Sequence, residues 1–343
     1  MSAANFKYGL HVVGPTCGKR NPVDWASLLI AAAGVTPPFD PNREQYASAF
    51  HYDRAMLAHL KANGGSSAGF VGAVWSMALR RDFDAADDLA PALDAGRRFT
   101  TTVLHRYPSL SDADLEIFYS GRRSIHVELP LPHRPPPGLM FNATCRKFSF
   151  RLAKLAGVDT VVGVKFDEGN YDRVRLWRLV NSRHAKSGLF KVKLSYEELM
   201  GLSAEGVRML AAAPRPYSPL DPTFAPVPEL EHDWEQAAEA VAKEFLVKSA
   251  QKMEDAAAGG PDRLNRRTLD FIAGGAEPGD RHRLLYSAAR NIGDFACPPK
   301  LAFALLMPPA LDSGLSPSDA ARQIECGLKD AQTASPERGC PGG

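Results

Sequence analysis

Polar and apolar residues alternate most cleanly in the middle of the chain. In Asp82-Phe83-Asp84 two carboxylates flank one apolar residue, and in Ser124-Ile125-His126-Val127-Glu128-Leu129 polar and apolar residues interleave throughout. Side chains of an extended strand point alternately to its two faces. Asp82 and Asp84 therefore share a face while Phe83 points into a core. Ser124, His126 and Glu128 likewise share a face, opposite Ile125, Val127 and Leu129. Phe166-Asp167 repeats the split. Strands patterned this way bring two carboxylates, a hydroxyl with an imidazole, and a third carboxylate to one groove.

Around these stretches the periodicity predicts a mixed order of helices and strands. Trp25 to Ala33 is an apolar helix stopped by Gly34, and Tyr46 to Asn63 has helical spacing (Tyr46, Phe50, Leu57, Leu60) ending at Gly64-Gly65. Gly69 to Leu79 reads as a buried strand leading into the aspartates. Ala85 to Tyr107 reads as a helix with Asp87 and Asp88 in its first turn, where the helix dipole favours acids. Leu115 to Tyr119 and Ser124 to Leu129 make a hairpin through Ser120-Gly121-Arg122-Arg123. Pro130 to Gly138 is a loop, Asn142 to Gly157 a basic helix over one sheet face, and strands follow around Val161 to Phe166 and Arg173 to Val180. Ser195-Tyr196-Glu197-Glu198 is a capping box opening another helix.

Pro214 to Pro228 is too rich in proline for a helix or a central strand and reads as a stiff linker or an extended strap, and hence a domain boundary. Beyond it Trp234 to Ala258, Arg266 to Ala273, Asp280 to Phe295 and Lys300 to Met307 are helical, and Ser316-Pro317-Ser318-Asp319 caps a last helix. The expected organisation is a catalytic domain over 1–213, a linker over 214–230, a helical domain over 231–334 and a disordered tail over 335–343.

Composition narrows the functions available. A chain of 343 residues with 45% hydrophobic residues can fill a sizeable core, and a net charge of +2 leaves any nucleic-acid affinity to a local patch. The cysteines at 17, 145, 297, 326 and 340 are scattered without a C-x-x-C pair, so neither disulfides nor a zinc ribbon is expected. With no apolar run of membrane-spanning length and no signal-like N-terminus, the expectation is a soluble cytoplasmic protein with no membrane partner.

The charged residues change the picture more. Carboxylate oxygens on one face suit hard cations such as Mg²⁺. Taken singly, Asp82 and Asp84 also fit acids placed ahead of a helix, and His126 also fits a hydrogen-bonded sheet histidine. Arg173, Arg175, Arg178, Arg183, His184, Lys186, Lys191 and Lys193 form a basic run, interrupted by Leu176, Trp177, Leu179 and Val180. It fits a solvated sheet edge, yet arginines on a partly buried strand can also grip phosphates bidentately. An acidic metal site beside a phosphate-binding strand is the equipment of nucleotidyl transfer or another metal-dependent phosphoryl transfer.

Asp82-Phe83-Asp84, Ser124-Ile125-His126 and Phe166-Asp167, in that order, resemble the three signatures of the archaeo-eukaryotic primase superfamily. Ser120-Gly121-Arg122-Arg123 resembles the turn before the family's histidine strand, and Tyr171 to Lys191 is similar to the segment after the third aspartate in plasmid and phage members. Gly279-Asp280-Arg281-His282-Arg283 resembles the start of their small helical domain. Arg80-Arg81 depart from the pattern, which has apolar residues before the first aspartate. The resemblance implies an α+β fold, a central mixed or antiparallel sheet in two halves followed by a small all-α domain.

It also implies a primase-polymerase making primers on single-stranded DNA from NTPs or dNTPs. Asp82, Asp84 and Asp167 would bind Mg²⁺ or Mn²⁺, with no zinc. Ser124, His126, Arg175, Arg178, Asn181 and His184 would contact the nucleotide, and Arg122, Arg123, Arg183 and Lys186 the DNA. A replicative helicase on another chain is a further expected partner. Two other readings stay open: a metal-dependent nuclease and a non-catalytic replication-initiation protein.

Overall fold

The computed structural model describes residues 2–165, 168–219, 225–257, 264–277 and 279–333. Nine strands are described: β1 (Tyr8–Val13), β2 (Asn21–Asp24), β3 (Gln45–Ser48), β4 (Ala78–Ala85), β5 (Glu116–Tyr119), β6 (Ser124–Pro130), β7 (Val164–Lys165), β8 (Leu176–Arg178) and β9 (Val192–Leu194). They form two antiparallel sheets, ordered β2-β1-β3-β8 and β7-β4-β6-β5-β9. The helices are α1 (Trp25–Gly34), α2 (Arg54–Ala62), α3 (Ala90–Arg106), α4 (Phe141–Leu155), α5 (Tyr196–Gly201), α6 (Ala204–Leu210), α7 (Pro228–Ala257), α8 (Arg266–Gly274), α9 (Arg281–Gly293), α10 (Pro299–Asp312) and α11 (Pro317–Thr333). The fold is thus α+β.

The five-stranded sheet has one apolar face. Leu79, Phe83, Ile125, Val127, Leu129 and Ile117 join a core with Leu93, Phe99 and Val103 of α3 and Phe148 and Leu152 of α4. Gly96 lets α3 approach β6: a Cβ there would stand 2.9 Å from Ile125 Cγ2. The other face carries Arg80, Asp82, Asp84, Ser124, His126 and Glu128, the polar half of the alternation.

Several elements differ from the sequence reading for local reasons. The stretch predicted as one helix over Tyr46 to Asn63 is a strand, β3, followed by α2. Asp53 caps that helix by accepting from Ala55 N at 2.9 Å. The strand into the aspartates starts at Ala78 rather than Gly69 and runs through both arginines; Arg81 turns inward, stacked on Phe83 and Phe150. Helix α3 begins only at Ala90, because Pro91 fits the first turn and not the interior, so Asp87 and Asp88 precede it. Helix α10 continues past Met307 through Pro308-Pro309.

The Pro-rich segment is not a free linker at its start. Arg215 pairs with Glu198 at 2.7 Å and Tyr217 N donates to Ala33 O at 3.0 Å. The chain divides into two compact units, Met1–Phe245 and Leu246–Gly343, so the boundary falls within α7 and not at the prolines. Val227, Leu230, Trp234 and Ala237 belong to the first unit's core. The second unit has its own core of Phe271, Leu285, Ile292, Leu306 and Ile324. There Arg281 donates to the carbonyls of Ser313 and Gly314, Arg283 pairs with Asp280, and Arg266 lies 4.0 Å from Asp270. The expected tail, 335–343, lies outside the described residues. No helix among the described residues is long and apolar enough to cross a membrane.

Buried histidines make stability sensitive to acid. Burial pushes His51 down to about 3, His133 and His184 to about 4, and His126 well below its ordinary value. An unfolded histidine takes up its proton near pH 6.5. Below that pH the unfolded chain binds more protons than the folded one, so stability is full above about pH 6.5 and declines as pH falls toward 4. Glu116, pushed up by burial, titrates in the opposing sense, one group against these four histidines and His11, which burial also lowers. The urea midpoint is therefore expected to fall between about pH 7 and pH 5; a midpoint unchanged over that range would contradict the histidine burial.

Candidate active site

The register of β4 against β6 pairs Asp82 with His126 and Asp84 with Ser124. All four side chains line one cleft of about 220 Å³, together with Tyr46, Arg122, Arg123, Arg175, Trp177, Arg178 and His184. Two strands of the five-stranded sheet thus supply the acids, hydroxyl and imidazole, while β3 and β8 of the other sheet supply Tyr46, Trp177 and Arg178.

Asp84 is held from two sides. Arg123 Nε lies 3.0 Å from its Oδ1 and Nη2 3.2 Å from its Oδ2, and Ser124 Oγ donates to Oδ1 at 2.9 Å. Arg123, expected on DNA, is instead engaged with Asp84 and the Ala86 carbonyl. Ser124 is likewise turned to the carboxylate. The turn carrying Arg122 and Arg123 is fixed by Gly121, whose φ of +90° suits glycine and whose carbonyl accepts from Ser187 Oγ.

His126 is buried, with Nε2 3.4 Å from Asp82 Oδ1 and its ring 4.3 Å from that of Trp177. Burial, then the charges of Lys191, Arg178 and Arg175, keep it neutral. A neutral imidazole has one N–H to donate. Trp177 is oriented in turn by donating Nε1 to Glu128 Oε1 at 3.1 Å, and Glu128 pairs with Arg80 at 3.1 Å.

Arg178 donates Nη2 to Glu44 at 2.9 Å and to Tyr46 Oη at 2.7 Å, leaving a buried Nη1 without a partner among the described residues. His184 accepts from Lys186 N and, at 3.4 Å, Ser187 N through Nδ1, so its proton sits on Nε2 as a donor. Burial and Arg178 hold it neutral. Arg175 lines the same cleft. Arg183 and Lys186 are outside it and exposed; Arg183 Nε donates to Gly188 O at 3.0 Å.

One expected nucleotide contact is placed elsewhere. Asn181 is fully buried at φ +60°, donating to the carbonyls of Ala32 and Ala33 at 3.0 and 3.1 Å and accepting from Arg215 N at 2.8 Å. It ties α1 to the Pro-rich strap and has nothing left for a ligand. Asp167 lies outside the described residues. Among the described residues no three His, Cys, Asp or Glu side chains converge at metal-ligand spacing. Asp82 and Asp84 offer only hard oxygen donors, which fits Mg²⁺ or Mn²⁺, though Asp84 would have to share its oxygens with Arg123.

Sequence reasoning missed Tyr46, Glu44 and the Arg80–Glu128 pair. Arg80 was within reach: two residues before Asp82 it must share the aspartate's face, as Glu128 shares that of His126. Tyr46 was hidden inside an apparent helical repeat.

No family model matches the chain, and no curated protein matches it. Among solved structures it is similar to the crystal structure of primase RepB', with a TM-score of 0.36 and 9% identity over 98% of this chain and 97% of that chain. At that level the likeness carries no functional argument.

Proposed function

We propose that the chain is a DNA primase-polymerase, a nucleotidyltransferase that joins nucleotides on a single-stranded DNA template. One observation carries the reading: Asp82 and Asp84 face His126 and Ser124 across adjacent strands, in a cleft that Arg122, Arg175, Arg178 and His184 also line. Acids for a cation and cations for phosphates share one wall-to-wall space.

Asp82 and Asp84 would hold Mg²⁺ or Mn²⁺, which when bound neutralises phosphate charge and makes a hydroxyl a better nucleophile. The chain's own residues do the positioning. Arg178, through its free Nη1, and Arg175 contact the triphosphate oxygens as charged donors. His184 Nε2–H donates to a phosphate oxygen. Arg123 and Ser124 orient the Asp84 carboxylate. Trp177 and His126 form the floor that excludes water. Held there, the α-phosphorus accepts a 3′-hydroxyl oxygen as its bond to pyrophosphate breaks and the hydroxyl proton passes to solvent. Arg122, Arg183 and Lys186 give the template a basic path.

His126→Ala is expected to weaken nucleoside triphosphate binding by about tenfold while template affinity is retained, because His126 lies in the cleft floor and Arg183 and Lys186 lie outside. Separate titrations of nucleotide and of a single-stranded oligonucleotide measure this. Unchanged nucleotide affinity with lost DNA affinity would remove His126 from the nucleotide subsite.

A further inference from the structure

Behind the cleft wall sits a lysine that the reaction does not require. Lys191, immediately before β9, is 2% exposed. Its Nζ donates to the Arg178 carbonyl at 3.0 Å and lies 4.5 Å from the centroid of Phe118 and 5.5 Å from that of Trp177. Its backbone bonds the turn after β8 as well: Lys191 N donates to Ser182 O at 3.1 Å, and Asn181 N donates to Lys191 O. The acids whose charges act on its ammonium are paired with other cations, Glu128 with Arg80 at 3.1 Å and Glu116 with Lys193 at 3.4 Å.

A buried ammonium without a carboxylate of its own is an expense to the fold, and an apolar side chain of similar length is commonly tolerated as well or better. What the ammonium does is grip β8 from the rear. It is anchored beside β9 of one sheet and holds the carbonyl of Arg178 and the ring of Trp177 in the other. Those two residues face the cleft, Trp177 against His126 and Arg178 over Tyr46 at 4.7 Å.

The geometry points to Lys191 as a positioning residue for the triphosphate subsite, holding Trp177 and Arg178 in place from behind the cleft without touching the ligand. The inference rests on the nucleotide-binding reading of that cleft. It deepens that reading by separating what the nucleotide needs from what the fold needs.

The test compares full-length wild type with Lys191→Met. ATP and dATP with Mg²⁺ are titrated into each, a single-stranded oligonucleotide is titrated in parallel, and both proteins are melted. Triphosphate affinity is expected to fall by about tenfold or more, with DNA affinity unchanged and a melting temperature equal to or above that of wild type. A second measurement needs no variant. Burial lowers Lys191 to about 8, against the pull of Glu128 on β6 and Glu116 on β5 and with the push of Arg80 on β4 and Arg178 on β8. Wild-type triphosphate affinity should therefore decline between about pH 7 and pH 9, while His126 and His184 stay neutral throughout and the variant shows no such decline.

Equal triphosphate affinity in wild type and Lys191→Met overturns the inference and leaves the polymerase reading standing. A variant that melts lower and loses both ligands together makes Lys191 a structural residue, which also overturns it. Wild-type protein that binds no triphosphate overturns the reading and the inference together.

Discussion

Asp82→Asn and Asp84→Asn are each expected to lower nucleotide incorporation by about 10²–10³-fold in a protein that remains folded. Asparagine keeps the shape of aspartate but gives up the negative charge that a divalent cation needs. The two acids lie on the cleft face of β4, opposite His126 and Ser124, so neither side chain fills the core beneath. Asp84→Asn also weakens the pair with Arg123. Both partners are partly exposed, so about 1 kcal/mol or less of stability goes with it. On the sequence reading Asp167→Asn belongs with them. Incorporation rates beside thermal melts check all three variants. One that keeps the wild-type rate would take its residue out of the cation site.

Removing everything after Ala213 is expected to leave a chain that does not fold, whereas removing everything after Phe245 leaves the first unit folded. The first cut deletes Val227, Leu230, Trp234 and Ala237, all buried in the core that backs the five-stranded sheet. Trp234 packs against Phe141 at 5.2 Å and Phe148 at 5.9 Å. Asp233 accepts from Tyr107 at 2.8 Å and pairs with Arg106 at 2.9 Å. Loss of one large buried aromatic is worth about 3–5 kcal/mol, and a domain's whole stability is about 5–15 kcal/mol. Tryptophan, three aliphatic residues and an ion pair removed together exceed that margin. Circular dichroism of the two truncations decides it. A cooperative melt from the shorter chain would show that α7 is dispensable. Any role of the second unit in starting primers is therefore tested with the cut after Phe245, comparing new primer synthesis with extension of a ready-made primer.

What the sequence revealed of this site follows from how local its signals are. Asp82, Asp84, Ser124 and His126 were legible because a period of two needs only the strand itself, and the hairpin between β5 and β6 needs only its own turn. The capping box at Ser195 was local too, and Ser195 Oγ accepts from Glu198 N as expected. Tyr46 was not legible: β3 is four residues long, and its aromatic fell in step with Phe50, Leu57 and Leu60 to imitate a helix. Asn181 was expected on the nucleotide only because its segment resembles the one after the family's third aspartate. Its left-handed backbone and its bonds to α1, some 150 residues away in sequence, are facts of tertiary structure alone. Arg123 lay beside Arg122 in the turn, yet only the register of β4 on β6 sends one of them to Asp84. The prolines after Ala213 carried no signal of the attachment that Arg215, Tyr217 and Val227 provide.

The most direct measurement incubates the full-length protein with a single-stranded DNA template, labelled nucleotides and Mn²⁺, and sizes the products. The account predicts labelled oligomers that depend on the template and vanish with Asp82→Asn. A template cut into shorter pieces, or a retarded template with no incorporated label, would contradict it.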